Sequence, residues 1–293
     1  MATAPLPHFP WLDTTEYPFA AHYLTLPDGQ RLHYIDEGQG EVLLFVHGTP
    51  SWSFDFRHQV KELARTHRCV ALDHVGFGLS DKPAHYDYRP QQHARNLAAL
   101  IQHLALRQLT LIVHDFGAPI GLAYALEHPA NVRRLVVLNS WLWDVSADPA
   151  FIRARRVLTS PLLPWLYRWF NFSPRVLLPR SFGARPLAAG LRRQYTAPFG
   201  HARERHGPVG FARALAHEQA WFGSLWQRVA VLCNTPVLFL WGMRDVFFGP
   251  AYLHKFAAAF RHAIVVELPT CGHFPQEEEA EAVLHHLRQF LAA

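Results

Sequence analysis

Cysteine is scarce in this chain: three in 293 residues, at positions 69, 233 and 271. The number is odd, and no two form a C-x-x-C pair. That excludes a disulfide scaffold and fits a reducing compartment. Long apolar runs are missing too. Those present span four to six residues, against the ~20 that a bilayer-crossing helix needs. No membrane span and no membrane partner is therefore expected. The first nineteen residues show no basic segment followed by an apolar one. No signal peptide is read there, and the expected location is cytoplasmic. Charged residues make up only 17% of the chain and hydrophobic residues half of it. That composition excludes disorder as a main theme and supplies a sizeable core. The length leaves open one large α/β domain or two ordinary ones.

Residues 145–230 contain no lysine and only three acids, against thirteen arginines. This stretch carries +10, which leaves −5 for the remainder of a chain whose net charge is +5. The arginines are dispersed among apolar residues, as on the outer faces of helices, and no nucleic-acid motif accompanies them. No nucleic-acid partner is expected. The twenty histidines are scattered. The pairs His285–His286 and His201…His206 lack carboxylate or cysteine company, so no metal and no other cofactor is expected.

What the chain does have is a series of short Val/Leu/Ile-rich runs without polar alternation. They are Val42–Val46, Cys69–Leu72, Leu109–Val113, Leu135–Leu138, Val237–Trp241 and Ile264–Leu268. The pattern suits strands buried on both faces of a parallel sheet. Helix-like stretches lie between them: Phe54–Thr66, Pro90–Leu106, Ala118–Glu127, Pro250–Phe260 and Gln276–Leu291. This alternation predicts an α/β fold, a mostly parallel central sheet flanked by helices. Two earlier runs, His22–Leu26 and Arg31–Ile35, flank Pro27-Asp28-Gly29 and read as an antiparallel edge hairpin. From 145 to 230 the alternation stops, and helix-like segments are separated by seven prolines from Pro161 to Pro208. The predicted organisation is a core of residues 1–144 and 231–293, with residues 145–230 as an inserted helical cap.

The chemistry gathers at the ends of the buried runs. Leu109–Val113 leads into His114-Asp115-Phe116-Gly117 and then a helix, the strand–turn–helix context of a nucleophile elbow. Asp115 stands at the nucleophile position, although an Asp there also serves as an ordinary helix N-cap. Val46-His47-Gly48-Thr49-Pro50 follows another strand. It would bring the backbone N–H of Thr49 beside that of Phe116 to form an oxyanion hole. Asp245 lies just past Val237–Trp241, and His273 just past Ile264–Leu268. The order Asp115, Asp245, His273 is nucleophile, acid, base, the order of an α/β hydrolase.

Several segments together resemble the haloalkane dehalogenase and epoxide hydrolase branch of the α/β hydrolases. They are Leu32–Gly38, His47–Phe54, Asp73–Asp81, His114–Gly117, Trp241–Asp245 and Gly272–Gln276. The resemblance covers nearly the whole core and is weakest in residues 145–230. It implies that Asp115 attacks an sp³ carbon bearing a leaving group and forms an alkyl ester. Water activated by His273, with Asp245 behind it, would then cleave the ester. The implied substrate is a small apolar molecule, a haloalkane in the first instance, and no cofactor is needed. The chain departs from that family at Phe116, where dehalogenases usually carry a halide-holding Trp, and at Thr49, where many carry Asn. The candidate substitute donors are the indoles of Trp52, Trp141, Trp143, Trp165, Trp169, Trp221 and Trp226, the first three foremost, and, for an epoxide oxygen, the hydroxyls of Tyr167 and Tyr195. Four readings stay open: a dehalogenase, an epoxide hydrolase, another Asp-nucleophile hydrolase, and a relative without activity. Substrate and oligomeric state are not legible in the sequence.

Overall fold

The computed structural model describes residues 9–293. Residues 1–8, part of the start read above for a signal peptide and part of the first core segment, lie outside them. Eight strands form one sheet: β1 (His22–Thr25), β2 (Arg31–Glu37), β3 (Val42–Val46), β4 (Arg68–Leu72), β5 (Leu109–His114), β6 (Val132–Leu138), β7 (Val237–Gly242) and β8 (Ala263–Leu268). Their order across the sheet is β1-β2-β4-β3-β5-β6-β7-β8. β2 runs antiparallel to both β1 and β4, and every other pair is parallel. The edge hairpin and all six buried runs therefore emerge as strands.

The helices of the core are α1 (Arg57–Leu63), α2 (Pro90–His103) and α3 (Gly117–Glu127). Between β6 and β7 come α4 (Pro149–Leu158), α5 (Leu162–Phe170), α6 (Leu178–Arg180), α7 (Arg192–Thr196), α8 (His206–His217) and α9 (Gln219–Gln227). After β7 follow α10 (Pro250–Ala257), α11 (Pro275–Glu278) and α12 (Ala280–Ala292).

Side chains on a strand alternate between faces, and here both faces are apolar. Leu44, Val46, Leu111, Val113 and Val137 join one cluster with residues of α2, α3, α9 and α10. Leu43, Phe45, Ile112, Val136 and Leu138 join a second cluster with α1 and α12. Continuous apolar runs thus mark a sheet covered on both sides. β8 departs from the expectation of burial on both faces. It pairs only with β7, and Ile264 and Val265, consecutive and so on opposite faces, are 49% and 42% exposed. An edge strand outside the helical layers loses its cover. The last helix also differs from expectation. Gln276–Leu291 is broken at Glu279, whose φ of −129° and ψ of 45° leave the helical region. The preceding Glu278 carboxylate accepts hydrogen bonds from the Gly183 and Gly272 N–H groups at 2.7 and 2.9 Å.

Candidate active site

β5 ends on His114, and Asp115 follows with φ of 52°. A left-handed conformation is tolerated by Asp better than by most residues. It turns the chain sharply into α3 and lifts the carboxylate above the carboxyl edge of the sheet. The turn has room only because of two glycines. A Cβ on Gly117 would overlap the Val46 carbonyl, and one on Gly48 would overlap the Asp115 carboxylate itself. Backbone approach therefore fixes glycine at 117, and the nucleophile's own carboxylate fixes it at 48.

Asp115 is buried. Its Oδ1 accepts the Thr49 N–H at 2.8 Å, and its backbone carbonyl accepts the Ser140 hydroxyl at 2.6 Å. Its Oδ2 lies 3.5 Å from His273 Nε2, while His273 Nδ1 lies 2.8 Å from Asp245 Oδ2. The three residues are thus brought together in one line. Asp245 is held from two further sides. Asn139 Nδ2 donates to its Oδ2 at 2.9 Å and the Phe247 N–H to its Oδ1 at 2.7 Å. Burial works against charge on Asp245, yet His273 and these donors hold its carboxyl below the usual range. Burial also opposes charge on His273, yet Asp245 and Asp115 on either side push it up to about 10. Both carboxylates thus favour the protonated imidazole.

Over Asp115 lies a cavity of about 410 Å³ whose wall is almost wholly apolar. Thr49, Phe116, Trp141, Tyr167 and His273 line it, with side chains from α4, α5 and α8. Phe116 stacks on Phe211 at 4.5 Å and meets Trp141 edge to face at 4.9 Å. Two buried polar groups of the lining have no hydrogen-bond partner, Trp141 Nε1 and Thr49 Oγ1. Orphaned buried donors cost free energy, and each calls for an explanation.

The other sequence candidates are not brought to the cavity. Trp52 donates its indole N–H to the Gln194 carbonyl at 2.9 Å and packs on Trp11, Tyr17 and Phe54. Trp143 packs among Trp226, Tyr252 and Phe256. Tyr195 is sealed in a separate buried cluster, where its hydroxyl donates to Glu277 Oε2 at 2.5 Å and Arg57 clasps the same carboxylate. Of the two tyrosines weighed for an epoxide, only Tyr167 reaches the cavity. Sequence reasoning missed Asn139, Ser140 and His114, whose Nε2 donates to the His273 carbonyl at 2.7 Å. Their signal was position: all three stand at carboxyl ends of central strands, where open α/β sheets build their sites.

A family model described as the alpha/beta hydrolase fold matches residues 41–280. The chain belongs to that family. Within it, the chain is 34% identical over 289 residues to the cis-3-alkyl-4-alkyloxetan-2-one decarboxylase of Shewanella oneidensis, covering 96% of this chain and 90% of that protein. It is also 34% identical over 275 residues to haloalkane dehalogenase 2 of Mycobacterium tuberculosis, covering 92% and 94%. The crystal structure of the haloalkane dehalogenase DatA from Agrobacterium tumefaciens superposes with a TM-score of 0.83 at 28% identity, covering 93% of this chain and 96% of that one. By sequence and by fold it is a dehalogenase-like enzyme of the α/β-hydrolase family.

Proposed function

We propose that the protein displaces a leaving group from an sp³ carbon of a small apolar substrate, with Asp115 as nucleophile, and that a haloalkane is such a substrate. One observation carries the reading: a buried carboxylate, flanked by an imidazole and a second carboxylate, at the floor of an apolar cavity. An ionised carboxylate needs no base to attack carbon. The first step forms the Asp115–carbon ester and expels the leaving group with the bonding pair. Esterification removes the charge of Asp115 and with it one of the two carboxylates that hold the proton on His273. His273 then gives up its proton to solvent along with the departing anion, and the neutral imidazole is a competent base at the stage that needs one. It takes a proton from water, the hydroxide adds to the Asp115 carbonyl carbon, and the oxyanion is held by the N–H groups of Thr49 and Phe116. Such donors are worth roughly 3–4 kcal/mol each. Collapse of the oxyanion breaks the acyl bond to the alkyl oxygen, which takes the proton from His273 and leaves as the alcohol, and Asp115 returns as a carboxylate. The chain's own residues suffice for these steps, without a cofactor.

The leaving group needs donors that Phe116 does not supply. The orphaned Trp141 N–H and Thr49 hydroxyl are the candidates, and a departing anion between them would satisfy both. Residues 145–230 act as the cap, roofing the cavity through α4, α5 and α8, while the remainder forms the core. The free thiols of Cys69, Cys233 and Cys271 support a reducing, cytoplasmic setting.

A second reading is favoured by the 34% identical decarboxylase relative. In a dialkyl oxetan-2-one the ring C–O carbon is also sp³ and its leaving group is a tethered carboxylate. Attack by Asp115 would open the ring. Loss of carbon dioxide would then form the alkene and return Asp115 as a carboxylate, without water. The test is a panel of bromoalkanes, styrene oxide and a cis-dialkyl oxetan-2-one, with Asp115→Ala as blank. Bromide release absent from the blank establishes the first reading. Alkene formation without bromide release replaces it by the second. Diol from styrene oxide alone would assign the epoxide chemistry, and turnover unchanged in Asp115→Ala would refute every version.

A further inference from the structure

The first long stretch of the helical segment turns an apolar stripe outward. On α5, Leu163 and Tyr167 point into the cavity. Leu162, Trp165, Leu166 and Trp169 occupy the spacing i, i+3, i+4, i+7, which places them on a single face. That face is the outer one: Leu162 is 64% exposed, Trp165 50% and Trp169 63%, with Leu166 half-buried. Phe170, edge to face with Trp165, and Ile152 of α4 extend it. Single exposed apolar residues are ordinary, but a contiguous stripe on a helix is a contact surface without its contact.

The charge around the stripe is mostly of one sign, with Asp148 at the start of α4 and Glu204 beside α5 as acids at its margins. From residue 149 to residue 203 there are ten arginines and no Asp, Glu or Lys. Arg153, Arg155 and Arg156 stand exposed on α4, and Arg168 on α5. This disfavours a two-fold contact with a second copy of the chain, since an isologous interface would bring the same excess of arginines together. Indoles beside guanidinium groups are the composition that settles at the boundary of acyl chains and anionic headgroups. The position also fits. Val157 of α4 is exposed yet lines the cavity, as do Val246 and Phe247, so the mouth of the cavity has apolar lips next to the stripe.

We propose that the outer face of α4 and α5 docks peripherally on an anionic lipid surface, through Leu162, Trp165, Trp169 and the flanking arginines, and takes up membrane-dissolved apolar substrate at the adjoining cavity mouth. Among the described residues no helix is long and apolar enough to cross a membrane, which does not bear on this, because the contact is made by a face and not by a crossing helix. Uptake of substrate rests on the function proposed above. Docking does not, and the experiment reads docking alone.

The intact chain is sedimented with vesicles of phosphatidylcholine and phosphatidylglycerol in equal parts, and with vesicles of phosphatidylcholine alone. It should pellet with the first and stay in solution with the second, and added salt should release it. Arg155→Gln/Arg156→Gln should weaken partition by roughly tenfold or more, at about a factor of five per cation near the surface. Trp165→Gln/Trp169→Gln should weaken it by a similar factor. None of these four residues lines the cavity, so both variants should turn over a short water-soluble substrate at the wild-type rate. A chain that stays in solution with the anionic vesicles overturns the proposal, as does pelleting that both variants retain. Concentration-dependent dimerisation lost in Trp165→Gln/Trp169→Gln would overturn it in favour of a second copy.

Discussion

The carboxyl edge of the sheet and the helical segment above it meet across one cavity but are built on different terms. At the edge, Asp115, Asp245 and His273 are each fixed by partners from neighbouring strands. Asn139 alone bonds Asp245 and both backbone groups of Gly242. The overlying segment is a chain of short helices broken by proline, with apolar and cationic side chains left in water. Chemistry that requires atoms held within fractions of an ångström belongs on the first kind of structure. Change is more easily accommodated on the second, whose short helices lie outside the sheet.

Substitutions can break this contrast in order of expected effect. Asp115→Asn should lower turnover by about four orders of magnitude or more, while the melting temperature barely moves; comparable activity in the variant would remove the nucleophile from the scheme. His273→Gln should permit the first step and stall the second, leaving the substrate's alkyl mass on the Asp115 peptide in a stopped digest. Glu277→Gln breaks the buried Arg57 cluster, which does not line the Asp115 cavity, and should cost stability by roughly 3–5 kcal/mol in urea unfolding. In the proposed leaving-group site, Trp141→Phe keeps the packing and deletes the N–H. It should reduce kcat/KM about 5–150-fold, the loss of one donor worth ~1–3 kcal/mol to an anion. A stable variant with unchanged kinetics would show that the indole is mere packing.

The remaining prediction concerns pH. His273 sits at about 10 in the folded chain, against 6.5 as its ordinary value. A raised value means that the protonated form favours the fold. This contribution is complete below pH 6.5 and fades as pH rises through about 10. Urea midpoints across that range should fall on the alkaline side. In Asp115→Asn, which removes one of the two flanking carboxylates, the fall should begin at lower pH.

Much of the core was legible because its signals are local. Val42–Val46 and Leu109–Val113 are continuous apolar runs, and a sheet buried on both faces requires them. The order of Asp115, Asp245 and His273, each just beyond a run, followed from the same reading. β8 misled because an edge strand and a central strand share a composition, and only the neighbours decide which is covered. Trp52, Trp143 and Tyr195 were candidates by residue type alone, and type does not say where an indole or phenol points.

The sequence by itself determined the alternation of strand and helix, the elbow at Asp115 and the departure at Phe116, because backbone periodicity and turn chemistry act over a few residues. Tertiary structure decided which polar groups face the cavity. Trp141, 26 residues beyond Asp115, reaches the cavity, while Tyr195 turns away to Glu277. It also decided that the stripe on α5 faces outward. A 3.6-residue period marks an apolar face, but only the packing of other elements determines whether that face meets the core or the solvent.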